Sequence, residues 1–219
     1  MREWTRSTAI VLAAAVSLSA CSWTKAQKGA VIGAAGGGAV GAVVGAKLGS
    51  TAKGAIIGAA VGGVAGAVIG ARMDKQAKEL AMEIDGARVE RVGEGIAVTF
   101  DSGLLFDFDS DVIKGAARDN LSKLAESLKK YSDTDLMIVG HTDAVGSDDY
   151  NLGLSDRRAR AAKNYLMTQG IASDRIKTAG RGETEPIAAN VDESGRSQNR
   201  RVEVAIFAGE ELRKSATGN

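Results

Sequence analysis

Two segments with a glycine at every fourth position most constrain what this chain can fold into. Residues 28–47 read KGAVIGAAGGGAVGAVVGAK, and residues 53–72 read KGAIIGAAVGGVAGAVIGAR. A four-residue period keeps the glycines near one face of a helix. Each glycine costs a water-exposed helix about 1 kcal/mol relative to alanine, so such a helix needs a close partner in order to form. The repeat therefore predicts helices that pack tightly against a neighbour or lie in lipid.

The polar break KLGSTAK, residues 47–53, predicts the turn of a helical hairpin that extends over residues 28–72. Each apolar stretch of about 18 residues would be about 27 Å long as a helix, just enough to cross a bilayer core. Valine and isoleucine at matching repeat positions favour this hairpin over a flexible Gly/Ala linker, which composition alone would also support. The hairpin resembles the glycine-zipper segments of outer-membrane lipoproteins. The sequence leaves open whether it spans a membrane, lies at the interface or forms homo-oligomers.

The start of the chain has the features of an export signal. Two arginines precede an apolar run over residues 9–20, which is too short to span a bilayer comfortably. The tetrapeptide LSAC ending at Cys21 resembles a bacterial lipobox, in which the cysteine becomes the first mature residue and carries lipid. Residues 1–20 are therefore predicted to be a signal peptide and residues 21–27 a lipidated N-terminus. By the same resemblance, Ser22 in place of aspartate favours anchoring in outer-membrane lipid.

The overall charge and the cysteine count exclude several classes of protein. The formal net charge is +1, from 28 basic and 27 acidic residues, so no global field attracts nucleic acid. Aromatic residues make up 4% of the chain and offer few stacking platforms for bases. Cys21 is the only cysteine, which excludes a disulfide within the chain. Nucleic acid is therefore not expected as a partner.

Residues 87–207 alternate between strand and helix patterns. The segments ARVERV and GIAVTF predict a β-hairpin, and helices are predicted over about 114–131 and about 152–169. The run DLMIVG is typical of a central strand, and DRIKTAGRG and RRVEVAIF supply further strands. The order β-α-β-α-β-β predicts an α/β (α+β) fold, a two-layer sandwich with a mixed sheet. Residues 73–86 are predicted to be a helical connector and residues 208–219 a flexible tail.

An acid and a base flank the turn after the central strand. Asp143 follows the strand, and Arg158 lies near the start of the next helix, which Asn151 or Ser155 would cap. Loops at strand ends are where α/β folds place ligands. A carboxylate and a guanidinium held apart there would match an amino-acid end group. On charge pattern alone, however, mutual pairing or pairing with surface neighbours is the commoner arrangement.

Three segments in the same order resemble the peptidoglycan-binding domain of the OmpA-like family over residues 97–207. They read GHTDAVGSDDYNLGLSDRRARAAKNYL, GRGETEPIAAN and GRSQNRRVEVAI. The family's aspartate after Gly-x-Thr falls on Asp143, and the arginine of its Leu-Ser-x-x-Arg-Ala motif falls on Arg158. The resemblance implies that these two residues hold the ammonium and the carboxylate of meso-diaminopimelate in the peptide stem.

The same resemblance implies a larger ligand site. Its expected ligand-binding residues are Asp143, Arg158, Asn151, Phe108, Asp109, Thr142 and Leu154. Asn199 and Arg201 belong to the family's Asn-Arg-Arg motif and are expected to support the site rather than contact the ligand. Arg157 lies about 100° around the helix from Arg158, so the two side chains are not expected to face the ligand equally.

The implied function is non-catalytic peptidoglycan binding that tethers the outer membrane to the cell wall, with the C-terminal domain in the periplasm. An enzyme is disfavoured because His141 is the sole histidine and Cys21 the sole cysteine, which leaves both a metal site and a nucleophile-base pair incomplete. No cofactor is expected. Two alternatives stay open: a membrane-structural or oligomerising glycine-zipper protein, and a partner of a periplasmic complex.

Overall fold

The computed structural model describes residues 49–218. The predicted signal peptide, the lipidated N-terminus with Cys21 and the first glycine repeat lie outside the described residues. In chain order the elements are α1 (Thr51–Ala59), α2 (Gly63–Glu83), β1 (Ala87–Val92), β2 (Gly95–Asp101), α3 (Ser102–Leu105), α4 (Gly115–Lys130), β3 (Thr134–Gly140), α5 (Asp148–Thr168), a 3-10 turn (Ser173–Arg175), β4 (Ile176–Gly180), α6 (Glu193–Asn199), β5 (Arg201–Ala208) and α7 (Glu210–Thr217).

The strands form one mixed sheet in the order β1-β2-β5-β3-β4. The pairs β1 with β2, β2 with β5 and β5 with β3 are antiparallel, whereas β3 and β4 are parallel. The predicted β-hairpin of β1 and β2 reverses direction at Gly93, whose φ of 52° is a conformation that glycine adopts without strain. The predicted α/β fold with a mixed sheet is therefore confirmed.

The main core lies between one face of the sheet and helices α2, α4 and α5. Helix α4 buries Leu121, Leu124 and Leu128, which recur at the spacing that predicts a helix here. Val202 and Val204 of β5 face the same core because alternate residues of a strand point to one side of the sheet. Local hydrophobic periodicity thus accounts for this layer.

Helix α1, which contains the start of the second glycine repeat, covers the other face of the sheet. Its Ala52 and Ile56 are fully buried and pack in a cluster with Ala97, Val139 and Ala205 from three strands. The two-layer arrangement predicted from the sequence therefore has a third, partial layer. The small residues of the repeat allow close approach here to a sheet.

The second repeat is not one continuous helix. It is divided between α1 and α2, with a break at residues 60–62. Gly62 has a φ of 70°, and the backbone N–H groups of Val61 and Gly62 donate to the carboxylate of Glu94, at 2.8 and 2.7 Å. Within the segment 47–53, predicted to be a turn, residues 49 and 50 are not helical and α1 begins at Thr51. Over residues 49–218, no helix has the length and apolarity needed to cross a membrane.

Helix α2 continues through most of the segment predicted to be a connector. Ile69 precedes that segment, Met73 is its first residue, and Leu80 lies within it. All three side chains are fully buried in the main core. The helical character of residues 73–86 is as predicted. The boundary placed after residue 72, however, falls inside a helix that belongs to the domain core.

The C-terminal tail is a helix rather than a loose segment. Residues Glu210–Thr217 form α7, in which Leu212 and Ala216 pack against the main core. Glu210 and Lys214 form an ion pair at the i, i+4 spacing that supports a helix. The prediction of a flexible tail was wrong for these residues because a single apolar pair at helical spacing is enough to dock so short a segment.

Candidate ligand-binding site

Asp143 lies in the extended loop that follows β3. The loop is held on both sides, since His141 N–H donates to Arg201 O and Thr142 N–H donates to Gly182 O, each at 2.9 Å. The Asp143 carboxylate is nearly buried and accepts a hydrogen bond from Val145 N–H at 3.0 Å. Its other oxygen accepts from Nη1 of Arg200 at 2.6 Å. The acid is therefore fixed in place by its neighbours.

Arg158 projects from α5 into a separate set of contacts. Its Nε donates to the carbonyl of Ser110 at 2.9 Å, and its guanidinium lies 5.4 Å from the ring centroid of Phe106. Burial lowers the pKa of Arg158, while the charge of Asp109 opposes that shift. Within residues 49–218, neither terminal nitrogen of Arg158 donates a hydrogen bond to the protein. The guanidinium thus has two nitrogens, with four N–H donors, left for another acceptor.

Asp143 and Arg158 do not pair with each other. The ion-pair partner of Asp143 is Arg200, which also bonds to Glu193. The pKa of Arg158 is lowered mainly by burial, and the charge of Arg200 adds to this shift. The mutual pairing considered from the sequence is therefore excluded, because the acid and the base have separate partners.

The neighbouring Arg157 behaves as the helical geometry predicts. Its Nε pairs with Asp111 at 3.3 Å, and its side chain is 51% exposed, whereas Arg158 is buried. The two side chains leave α5 in different directions. Arg157 is consequently a natural control for Arg158.

The segment FDFDS contributes differently from the expectation. Phe108, expected to line the site, is 95% exposed, and the ring that stacks under Arg158 is that of Phe106. Asp109 has a φ of 54° and accepts a hydrogen bond from the hydroxyl of Tyr150. Asp109 and Tyr150 therefore hold this loop next to Arg158, and Phe108 points into solvent.

Asn151 connects the strand-end loop to the loop after β4. Its Nδ2 donates to Asp143 O at 3.2 Å and to the carboxylate of Glu183 at 2.7 Å. Asn151 is therefore not the helix cap, and neither is Ser155. The cap is Ser147, whose hydroxyl accepts from Tyr150 N–H, so α5 begins earlier than predicted.

Thr142 and Leu154, also expected in the site, are both buried. The hydroxyl of Thr142 has no hydrogen-bond partner among the described residues. Leu154 lies on α5 one turn before Arg158. Helix α5 can approach the end of β3 because a Cβ at Gly140 would lie 2.1 Å from Ser155 O, so only glycine fits there.

The three residues of the Asn-Arg-Arg motif have three different roles. Asn199 is fully buried and accepts hydrogen bonds from Ile187 N–H and Ala188 N–H, which shapes the loop before α6. Arg201 is also buried and pairs with Glu203 at 2.8 Å. Arg200, which the predicted set omits, is the one that contacts Asp143. Neighbouring residues of an extended chain point to opposite sides, and this alternation is the signal that could have separated the two arginines.

His141 is closed off from solvent. Both of its ring nitrogens are without a hydrogen-bond partner in the described part of the chain. Burial, followed by the charges of Arg201 and Arg181, holds the pKa of His141 well below its usual value of 6.5. Residues 49–218 contain no group of three or more His, Cys, Asp or Glu side chains that could hold a metal ion.

We expect His141 to make the protein less stable in mild acid. Below about pH 6.5 the unfolded chain binds a proton on this ring, whereas the folded protein binds it only at lower pH, so the free energy of unfolding falls by up to about 1.4 kcal/mol per pH unit. The variant His141→Leu should lack this contribution to the change of unfolding free energy with pH. Urea unfolding at about pH 7 and about pH 5.5 measures that change for both proteins. His141 is the only histidine, so equal slopes for both proteins would contradict the prediction.

The fold and the strand-end site define an α/β domain with an open mixed sheet and separate acidic and basic groups at one edge. The OmpA family model matches residues 105–200, and the YMGG-like Gly-zipper model matches residues 1–74. A peptidoglycan-associated lipoprotein from Mesorhizobium japonicum is 36% identical over 57% of this chain and 74% of its own length. The chain belongs to the OmpA family.

Two further similarities extend the comparison. The "Probable lipoprotein YiaD" of Escherichia coli is 38% identical, over 55% of this chain and 55% of its own length. This match therefore spans about half of that relative. The solved structure of the cell wall anchor of the T6SS from Pseudomonas aeruginosa is 32% identical, with a TM-score of 0.54 over 61% of this chain and 96% of that one.

Proposed function

We propose that this protein binds peptidoglycan through a stem peptide that carries meso-diaminopimelate. The observation that carries the proposal is the arrangement of Arg158, whose Nε is bound to Ser110 O while its terminal nitrogens have no partner among residues 49–218. A guanidinium oriented in this way is ready to take a carboxylate in a two-point contact. The stack on Phe106 keeps the group from turning away.

Asp143 supplies the complementary charge for an ammonium. Its two oxygens already accept from Val145 N–H and from Arg200, but an ionised carboxylate has about four acceptor positions. Arg200 is shared between Asp143 and Glu193, and Glu193 also pairs with Arg196 at 3.2 Å. A ligand ammonium would use the acceptor positions of Asp143 that these contacts leave open. The free end of diaminopimelate carries an ammonium and a carboxylate on one carbon and suits this pair of groups.

The wall contact would form one end of a tether, and the other end would be a lipid on Cys21 held in the outer membrane. The lipobox-like tetrapeptide before Cys21 supports this part of the proposal. The names of two relatives, a peptidoglycan-associated lipoprotein and a cell wall anchor, support it as well. The soluble domain would then face the periplasm and bind the wall without catalysis.

Binding to purified wall sacculi tests the proposal. We expect Asp143→Ala and Arg158→Ala each to weaken binding by about 10-fold to 100-fold, because each removes a charge-assisted contact of about 1.5–3 kcal/mol. Arg157→Ala is the matched control and should bind like the unmodified protein. Undiminished binding by both site variants would contradict the proposal.

Soluble stem peptides test the chemical class of the ligand. A peptide with diaminopimelate should bind more tightly than the same peptide with lysine, because lysine lacks the second carboxylate that Arg158 would hold. Equal affinity for the two peptides would rule out this role for Arg158.

A further inference from the structure

Two buried hydroxyl groups just before the second glycine repeat fasten this part of the chain to the rest of the domain. Ser50 Oγ donates to Glu203 in β5 at 2.7 Å. Thr51 donates twice to Glu185, from its backbone N–H at 2.9 Å and from its hydroxyl at 2.5 Å. All four side chains are buried, although more than a hundred residues separate the partners.

These contacts complete a buried charge network. Arg201 pairs with Glu203 at 2.8 Å, and Arg181 lies 3.4 Å from Glu185. Arg181 also donates to the hydroxyl of Thr51 at 2.7 Å. A buried carboxylate that loses a donor pays a desolvation cost, so the network depends on the hydroxyl groups of Ser50 and Thr51.

The network continues into the candidate ligand-binding site. The Nη2 of Arg201 donates to Glu185 O at 3.0 Å, and its Nη1 donates to Asn199 O at 3.3 Å. Asn199 in turn donates to the side chain of Asn190, which accepts from Ala144 N–H beside Asp143. The loop over residues 181–192 is therefore bound to the repeat on one side and to the Asp143 loop on the other.

The residues before the first repeat lack these hydroxyl groups. In the alignment of the two repeats, the positions of Ser50 and Thr51 correspond to Lys25 and Ala26, which have no hydroxyl group. The glycine pattern is shared, but the pair of hydroxyl groups at these positions precedes only the second repeat. The sequence thus distinguishes the two repeats at the point where the second one docks.

We propose that Ser50 and Thr51 are positioning residues of the peptidoglycan site. Docking of the second repeat orders residues 181–192, and these residues with Asn199 and Arg200 hold Asp143 in its binding position. The affinity of the domain for the wall then depends on a segment that precedes it in the chain. This inference rests on the proposed function and adds to it a coupling between the glycine repeat and the wall contact.

The test compares sacculus binding by the full chain with that of the double variant Ser50→Ala/Thr51→Val. We expect the affinity to fall about fivefold or more, and the amides of residues 181–192 to exchange hydrogen faster. The control is Ser215→Ala/Thr217→Val, because both hydroxyls are exposed and bond only within α7. The conservative variant Thr51→Ser keeps both donors and should retain the affinity.

The outcomes separate the two proposals. If the unmodified protein does not bind sacculi, the proposed function fails. If it binds and the folded double variant binds equally well, Ser50 and Thr51 are structural only and the coupling is overturned. If the double variant does not fold, the single variant Ser50→Ala takes its place, with a loss of affinity expected and an unchanged affinity counting against the coupling.

Discussion

Replacing Arg201 by alanine is expected to lower the free energy of unfolding by about 3–5 kcal/mol. The Arg201 side chain is 1% exposed, and its Nε lies 2.8 Å from Oε1 of Glu203, which is itself buried. Without the arginine, the hydroxyl of Ser50 would be the one hydrogen-bond donor to Glu203 that remains within residues 49–218. A substitution that leaves a buried carboxylate without a cation is one of the few single substitutions that lower the free energy of unfolding by so much.

Urea unfolding of the two proteins measures the difference. Arg160→Ala is the matched control because Arg160 pairs with Asp156 at the same distance of 2.8 Å, but its side chain is 67% exposed. Exposed i, i+4 pairs contribute about 0.3–0.5 kcal/mol. A loss below about 1 kcal/mol for Arg201→Ala would show that the buried pair is not required for stability.

Much of the fold follows from local patterns. The leucine stripe of α4 and the apolar run of β3 each depend on residues close in sequence. Gly170, with a φ of 90°, ends the segment of α5 as predicted. Such signals locate an element because they require no knowledge of its partner.

The partner of an element is harder to predict. Small residues at helical spacing pack well against a lipid-embedded helix and also against a sheet, so the glycine period does not distinguish the two surroundings. The deciding residues for α1 are Ser50 and Thr51, whose partners Glu203 and Glu185 lie far away in sequence. Long-range polar contacts of this kind have no local pattern.

In the candidate site as well, some residues can be identified from sequence motifs and others only from the tertiary structure. Family motifs identify Asp143 and Arg158, but the ring under Arg158 and the cation on Asp143 depend on how separate loops meet. The ring under Arg158 is that of Phe106, whereas Phe108 was expected in the site. The cation on Asp143 is Arg200, whereas the adjacent Arg201 was expected to support the site. In both cases two similar residues lie close in sequence, and only the tertiary structure decides which one faces the site.

The docking of α1 leads to a second large effect, which we expect at Ile56. This side chain is fully buried, and a Cβ at Gly95 would lie 2.5 Å from its Cγ2, so it packs directly on the backbone of β2. Truncation of a buried isoleucine leaves a cavity and costs about 2–5 kcal/mol. The variant Ile56→Ala should therefore lower the free energy of unfolding by that amount.

The adjacent Ile57 is the control, since it has the same chemistry and is 39% exposed. Ile57→Ala should cost less than about 1 kcal/mol in the same urea titration. If the second repeat were separate from the soluble domain, neither substitution would change the stability of that domain. A large loss of unfolding free energy for Ile56→Ala with a small loss for Ile57→Ala would instead require the repeat to pack on the sheet. Two neighbouring isoleucines differ in this way only if one fixed face of α1 is buried.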